Sequence, residues 1–552
     1  MGEKQKYFYC YKESLISLKS MFQPSPEEKL QNFIEEGICF SSDNQQLDLD
    51  ATSVWGEIPE SGKSPSEALK DALQILTGQH SWHSPNVLFN ITPAPLPNAV
   101  AAVAISSLYN GNALWDFVSG NTLELERHII EQIAALAKLP SNQAGGAFTS
   151  GGRSCINYAI RLGLNRCVPG ISSTGLESTR APVVFTSEVN HYSVEHACSL
   201  LGLGRSAAVR IPGCATASMD LDLFHRKLRE AIDDGTPIAA IIASGGNAMD
   251  LAIDPLAEMQ SIIDFECDRA NLSYRPFVYF DTVVGWAWFS YFDYDFDNNP
   301  LKLPEPELHS IKKFVSILAA VSGVDGFGCD FHKTALTPIS SSCFIARDQH
   351  EFRSVLKDEV SVHDWQPYGN NFVHHYTIEH TRPTGPIAAA WTSLQTLGLA
   401  GIRSYLARLM ELSRRFKEAF RQTEFEILND PSIGLATAIY PKNLAAAPTF
   451  QALLELTADE IEASNRFVFH LFDELAHPVD GGEAVVLRYL PQMNSTRSKA
   501  PAGSLVVYPM SVQSADADID RLVGRILEVY RRLLKEGVSR PLRFNPPAHV
   551  PR

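Results

Sequence analysis

Cysteine is scarce and set in no metal-binding pattern: nine residues in 552, at positions 10, 39, 155, 167, 198, 214, 267, 329 and 343. An odd count, wide dispersal and the lack of any Cys-x-x-Cys pair argue against a disulfide framework and against structural zinc. Long apolar runs are missing. Residues 99–107 and 238–243 are among the longest, far short of the roughly 20 needed to span a bilayer. The N-terminal Met-Gly-Glu-Lys-Gln-Lys has no apolar secretory segment, and Lys6 stands where a myristoylation signal needs Ser or Thr. Positive charge is also short. With 47 Lys+Arg against 63 Asp+Glu the formal net charge is −16, a poor basis for binding nucleic acid or anionic membrane. Absent too are a His-Glu-x-x-His pair, a Gly-x-Ser-x-Gly elbow, internal repeats and low-complexity tracts. These absences lead us to expect a soluble, reduced, cytoplasmic protein with no metal, no nucleic-acid partner and no membrane contact.

What is present suits a large core. The apolar fraction is 45% and the charged fraction 20%, too apolar for a disordered chain. The length allows several domains, or one large α/β domain with satellites. Residues 1–110 read as a helical and extended N-terminal segment, with a Ser/Pro/Gly/Glu-rich stretch at 51–66 and prolines at 85, 93, 95 and 97 that exclude a regular helix there. Small-residue and amphipathic helices are predicted at 98–110 and 124–139. Residues 111–385 alternate. A Gly-rich turn at 145–152 opens a helix at 154–166, and short apolar strands at 182–186, 238–244, 277–280 and 340–346 are separated by helices such as 221–233 and 255–270. That pattern predicts a mostly parallel sheet covered on both faces. Residues 386–552 change texture: a long helix at 388–418, strands at 485–489 and 504–508, and a last helix at 515–536 predict a smaller α+β domain.

Several residues could carry chemistry, and each alone also has a bland reading. Gly145-Gly-Ala-Phe-Thr-Ser-Gly-Gly-Arg-Ser154 places a flexible turn before a helix N-terminus, where free N–H groups favour an anion, or it is simply a tight turn. Asp281 follows the strand Phe277-Val-Tyr-Phe280, at the strand end where open α/β sheets bind ligands; otherwise it is a cap. Lys333, in Cys329-Asp-Phe-His-Lys-Thr-Ala-Leu336, is either exposed or a desolvated amine of the kind that bonds carbonyl carbons. His191 follows another strand and is a structural histidine unless a ligand stacks on it. The histidines at 363, 374, 375 and 380 lack metal spacing. Their order matters more than any one of them. An anion turn, a His, an Asp and a His-Lys pair, several of them after short strands, would supply a phosphate seat, a ring face, a partner for a ring nitrogen and an amine. Pyridoxal phosphate uses all four.

The stretch from about 85 to 400, and more loosely the C-terminal part, resembles the group II pyridoxal-phosphate-dependent amino-acid decarboxylases of fold type I, among them the glutamate, aromatic-amino-acid and histidine decarboxylases. The matching pieces are Thr149-Ser-Gly-Gly-Arg-Ser-Cys-Ile-Asn157, His191-Tyr-Ser-Val194, Gly246-Asn-Ala-Met-Asp-Leu-Ala-Ile-Asp-Pro255, Tyr279-Phe-Asp-Thr-Val-Val-Gly285, Asp330-Phe-His-Lys333, Thr377-Ile-Glu-His-Thr-Arg-Pro383, Leu487-Arg-Tyr489 and Val507-Tyr-Pro-Met510. The resemblance implies a seven-stranded-type, mostly parallel sheet in a large domain and a smaller α+β domain. It also implies that Lys333 holds the cofactor covalently, Asp281 pairs with the pyridine nitrogen and His191 stacks on the ring. Ser150, Gly151, Gly152 and His332 would hold the phosphate or its surroundings, and Arg382 would meet a substrate carboxylate or brace the site. Three departures stand out: Arg153 replaces a small hydroxyl residue and could pair with the phosphate, Asn247 replaces another hydroxyl, and Val283 is bulkier than usual beside the ring.

The expected activity is decarboxylation of an L-amino acid by a homodimer. In the region 361–368, comparable to the family's mobile loop, His363 and Tyr368 are candidate proton donors to Cα. Phe89, in Asn86-Val-Leu-Phe-Asn-Ile91, and Trp115 would wall a pocket for an apolar side chain, aliphatic or aromatic, or serve equally as core and dimer packing. The alternatives are a carbon–carbon lyase, an aminotransferase, an oxidative aldehyde-forming enzyme, or a homologue without catalysis.

Overall fold

Strands covered on both faces have no polar side to show, so they appear as unbroken apolar runs. Ile238-Ala-Ala-Ile-Ile-Ala-Ser244 is one, and all of it is buried. The computed structural model describes residues 57–74, 79–176, 180–213, 218–356, 369–442, 444, 447–494, 497–538 and 542. It builds the larger sheet from β1 (Gly145–Thr149), β2 (Val183–Ser187), β3 (Ala208–Ile211), β4 (Ile238–Ser244), β5 (Phe277–Asp281), β6 (Gly326–Asp330) and β7 (Ser342–Ala346). Their order is β1-β7-β6-β5-β4-β2-β3. β2 to β6 pair in parallel, and β7 runs antiparallel to both β1 and β6. This is the fold-type-I architecture, as the sequence led us to expect.

Alternation along each strand divides the core in two. Phe185, Ile241, Val278, Phe280, Phe327 and Ile345 pack on one face; Val184, Ile242, Phe277, Tyr279 and Phe344 pack on the other. Helices seal both faces: α1 (Pro97–Leu108), α2 (Thr122–Leu136), α3 (Gly152–Cys167), α4 (Ser193–Leu200), α5 (Leu221–Asp233), α6 (Leu256–Arg269) and α7 (Glu305–Leu318). α5 shows the local logic. Asp220 caps it by accepting from Leu223 N at 2.9 Å, and Phe224, Leu228 and Ile232, each four residues on, are its buried positions.

α8 (Gly385–Arg421) crosses to the smaller unit and breaks its helical path at Gly398, whose φ is +56°. Its first half packs in the large core through Ile387, Ile402 and Leu406. Its second half packs in the small core through Leu412, Phe416 and Phe420. There β8 (Phe425–Ile427), β9 (Thr437–Pro441), β10 (Arg488–Asn494) and β11 (Ala502–Val507) form an antiparallel sheet ordered β10-β11-β9-β8. α9 (Ala458–Ala476) and α10 (Asp516–Glu536) cover it. The segment at 86–88 also joins this unit, through Leu88 N to Val486 O at 2.8 Å and Tyr508 N to Leu88 O at 2.9 Å.

Three strands of the larger sheet differ from expectation, and β8 and β9 of the smaller sheet were not foreseen. Residues 145–149 were expected in a turn and form β1, while β3 and β6 were not foreseen. Glycine supplies the reason at β1: a Cβ on Gly146 would lie 2.1 Å from Phe344 O, so a residue with no strand preference of its own is required by the close approach of β7.

Candidate active site

β4, β5 and β6 end side by side, with Ser244 in register with Asp281 and the β6 strand ending at Asp330. Asp281 is 7% exposed, and its Oδ1 has no hydrogen-bond partner among the described residues. Burial, with the charge of Asp330 adding to it, raises its pKa to about 6 against the opposing pull of Lys333 and the Val283 N–H. A buried carboxylate oxygen without a donor is costly unless a ligand supplies one.

The chain leaves β6 through a single turn, Phe331–Thr334. Within it Lys333 Nζ reaches back to Asp330 Oδ2 at 2.6 Å, its side chain 24% exposed. His332 Nδ1 lies 3.0 Å from Ser341 O, and its Nε2 is 3.8 Å from Asp330 Oδ2. Val283 stands close by: a Cβ on Gly152 would come within 3.0 Å of Val283 Cγ1 and 3.3 Å of Asp330 Oδ2. The β1–α3 turn therefore sits against this acidic floor. Gly151, at φ +130°, has open space where a Cβ would be and immediately precedes the 16-residue α3, whose N-terminus favours an anion, although Ser154 N already donates to Gly151 O at 2.9 Å. One acid intrudes. Glu379 accepts from Tyr158 OH at 2.8 Å and lies 3.5 Å from Ser150 N.

His191 follows β2. Its Nδ1 accepts from Ser193 N at 3.2 Å and lies 2.6 Å from Ser193 Oγ, which leaves Nε2 to carry the proton of the neutral ring. The residue is exposed, yet protein crowds the ring. That crowding first, then the charges of Lys333, Arg153, Arg488 and Arg210, lowers its pKa to about 4, so the ring is neutral at pH 7. Arg153 is exposed. Arg210 is held by Glu195, with its Nη2 2.9 Å from Glu195 Oε2.

The remaining expected residues have other surroundings. Arg382, expected to meet a substrate carboxylate or brace the site, is paired with Glu126. The side chain is 4% exposed, and its Nη2 bonds Glu126 Oε2 at 3.0 Å and Ala113 O at 2.9 Å. Glu126 in turn accepts from Phe148 N at 2.7 Å. Asn247 turns its side-chain oxygen to its own loop, accepting from Asp250 N at 2.8 Å and Ala252 N at 3.3 Å; the loop's return to Ala252 makes it a brace of that turn. Trp115 packs with Phe372 and His374, and Phe89 with His80. His363 and Tyr368 lie outside the described residues. Three residues were missed: Asp330, whose i−3 spacing from Lys333 was the available signal; Arg488 on β10; and Glu379, for which sequence offered none. Among the described residues no group of three or more His, Cys, Asp or Glu is placed to hold a metal ion.

No family model matches the chain. A glutamate decarboxylase-like protein of Gibberella zeae is 27% identical over 210 residues, 38% of this chain and 40% of its own length. An L-2,4-diaminobutyrate decarboxylase of Rhizobium meliloti is 24% identical over 370 residues, 66% of each chain. The chain thus spans less than two thirds of either relative. The solved structure of Oryza sativa TDC with PLP and tryptamine superposes with a TM-score of 0.71 at 15% identity, covering 92% of this chain and 97% of that one. The chain is similar in sequence to these amino-acid decarboxylases and shares the fold of one solved with PLP. Its departures at Arg153, Asn247 and Val283 sit within a shared scaffold.

Proposed function

We propose that the protein is a pyridoxal-phosphate-dependent carboxy-lyase that converts an L-amino acid to its amine and CO2. One observation carries this reading: a lysine and a buried carboxylate oxygen that lacks a donor among the described residues stand at the ends of adjacent strands, beside the glycine turn that opens α3. The residues fit the cofactor. Asp281 would accept from its ring nitrogen, Lys333 would hold its carbonyl carbon, and the Ser150–Gly151–Gly152 turn with Arg153 would seat its phosphate, with Glu379 giving up its approach to Ser150 N. When bound, pyridoxal phosphate draws electrons out of the bonds at an attached amino acid's Cα.

The rest falls to this chain's side chains. Ionised Asp281 keeps the ring nitrogen protonated, since a buried anion is relieved by a proton held between the two. Neutral His191 covers the ring face without adding charge. Val283 and His332 close the floor, and Arg382, through Glu126, fixes the backbone at Phe148 beside the turn. His363 and Tyr368 remain our candidates for returning a proton to Cα.

For the substrate we propose an apolar amino acid walled by Phe89 and Trp115. Arg488 favours a second reading. It is half-buried, its charge acts on His191, and it hydrogen-bonds the phenol of Tyr508. An arginine gripping the departing α-carboxylate would stabilise the ground state more than the transition state, so Arg488 suits a carboxylate on the substrate side chain. The partner we propose is a second copy of the chain, supported by exposed Val100, Ile105, Tyr109 and Phe117 around α1. Among the described residues no helix is long and apolar enough to cross a membrane.

The test is CO2 release and product mass over a panel of leucine, phenylalanine, aspartate and glutamate. We expect stoichiometric amine and CO2 from one class, and loss of the borohydride-reducible link to the cofactor in Lys333→Ala. Product without CO2 would assign another reaction at the same site.

A further inference from the structure

Asp330 ends β6 at the N-cap of the Lys333 turn, but its side chain does not cap it. It is held from three sides instead. Lys333 Nζ donates to Oδ2 at 2.6 Å, Ser342 Oγ donates to Oδ1 at 2.6 Å, and His332 Nε2 lies 3.8 Å away. Ser342 is also its cross-strand partner on β7, so the carboxylate is fixed by backbone pairing as well as by the hydroxyl. It is 1% exposed. Around it stand Asp281 and Tyr279 from β5, Cys155 from α3 and Cys329 from β6. Two buried acids thus share one lysine, and Lys333 is committed to Asp330 while Asp281 Oδ1 has no donor among the described residues. Burial raises the Asp330 pKa, but the charges of Lys333 and His332 and the hydrogen bonds from Lys333 and Ser342 outweigh it and hold the group below the ordinary carboxylate value. Asp330 stays ionised.

We propose that Asp330 is a positioning residue that receives Lys333 as an ammonium whenever that amine is not bonded to the cofactor, and so drives the exchange of Lys333 for the substrate's amine. The proposal rests on the reading of Lys333 as the cofactor's lysine. The exchange balances without a further reagent. The substrate arrives as an ammonium and gives up one proton before its nitrogen bonds the cofactor's carbonyl carbon. The carbon–nitrogen bond to Lys333 breaks, and the freed nitrogen, which carried one hydrogen in the C=N bond, ends as –NH3+ by taking up that first substrate proton and a second that the substrate nitrogen gives up after bonding the carbon, the substrate nitrogen keeping its third hydrogen. Asp330 is the fixed anion that stabilises that product. Without that anion the freed nitrogen loses its charge-assisted hydrogen bond, returns more readily to the same carbon and competes with the substrate.

The experiment compares wild type, Asp330→Asn, Asp330→Glu and Ser342→Ala by absorption. Two quantities are read: the rate at which cofactor-free protein captures pyridoxal phosphate at pH 7 and at pH 10, and the concentration of a non-decarboxylating α-methyl amino acid that half-displaces Lys333. We expect Asp330→Asn to capture the aldehyde several-fold faster than wild type at pH 7, the ratio falling towards one at pH 10, and to need about tenfold more amino acid for displacement. Asp330→Glu should return partly to wild type, and Ser342→Ala should shift both quantities the same way, by roughly threefold, as expected for loss of one hydrogen bond. Wild-type values in Asp330→Asn overturn the proposal; where that variant does not fold, wild-type values in Ser342→Ala overturn it. A wild-type protein that forms no reducible link at Lys333 would instead refute the cofactor reading beneath it.

Discussion

Asp281 gives the cofactor-free protein a pH signature. Its folded pKa of about 6 exceeds the ordinary 3.8, so between those values the folded state holds a proton the unfolded chain has lost. The stabilisation is complete below about pH 4 and disappears as pH rises through about 6, on the order of 3 kcal/mol. Thermal melts of cofactor-free protein from pH 4 to 7 should show this fall, and Asp281→Asn should flatten it. Loading the ring nitrogen beside Asp281 should flatten it too, because the donor it brings favours the ionised form. Asp281 and Lys333 were legible in sequence because each follows or adjoins a short buried strand in a recognisable motif. The partner of Arg382 was not: Glu126 is 256 residues away, and only the packing of α2 against β1 brings the two together.

At the scale of the element, helices were readable from their periodicity, and α5 ran over the predicted 221–233. β6, Gly326-Phe-Gly-Cys-Asp330, was not, since it carries no β-branched residue. Its glycines are demanded by neighbours rather than by the strand. A Cβ on Gly328 would lie 2.3 Å from Tyr279 OH and 3.1 Å from Val283 Cγ1. Gly328→Ala should therefore cost about 1–3 kcal/mol by overpacking, read from urea unfolding. It should also weaken cofactor retention, because Val283 must move and it stands against Gly152.

The whole molecule is tied together at the loop that bears Asn247. Asn429 Nδ2 donates to Asp250 Oδ1 at 2.8 Å, Ser432 Oγ to Asp250 O at 3.1 Å, and Lys417 Nζ to Asn429 O at 3.0 Å. Burial lowers the Lys417 pKa from 10.5 to about 8, against the pull of Asp250 and Asp430. Between these values the unfolded chain binds the extra proton, so this group makes stability rise with pH from about 8 to 10.5. Lys417→Met should abolish that rise in denaturant titrations. No local pattern announces such a link, because its members come from a helix of one unit and a loop of the other.

α8 draws a boundary question to a close. Because one continuous stretch of backbone supplies side chains to both interiors, severing the chain near residue 400 would strip each half of packing it cannot replace. Neither fragment would be a usable module, and exchange of this C-terminal unit between relatives would have to carry the whole helix with it.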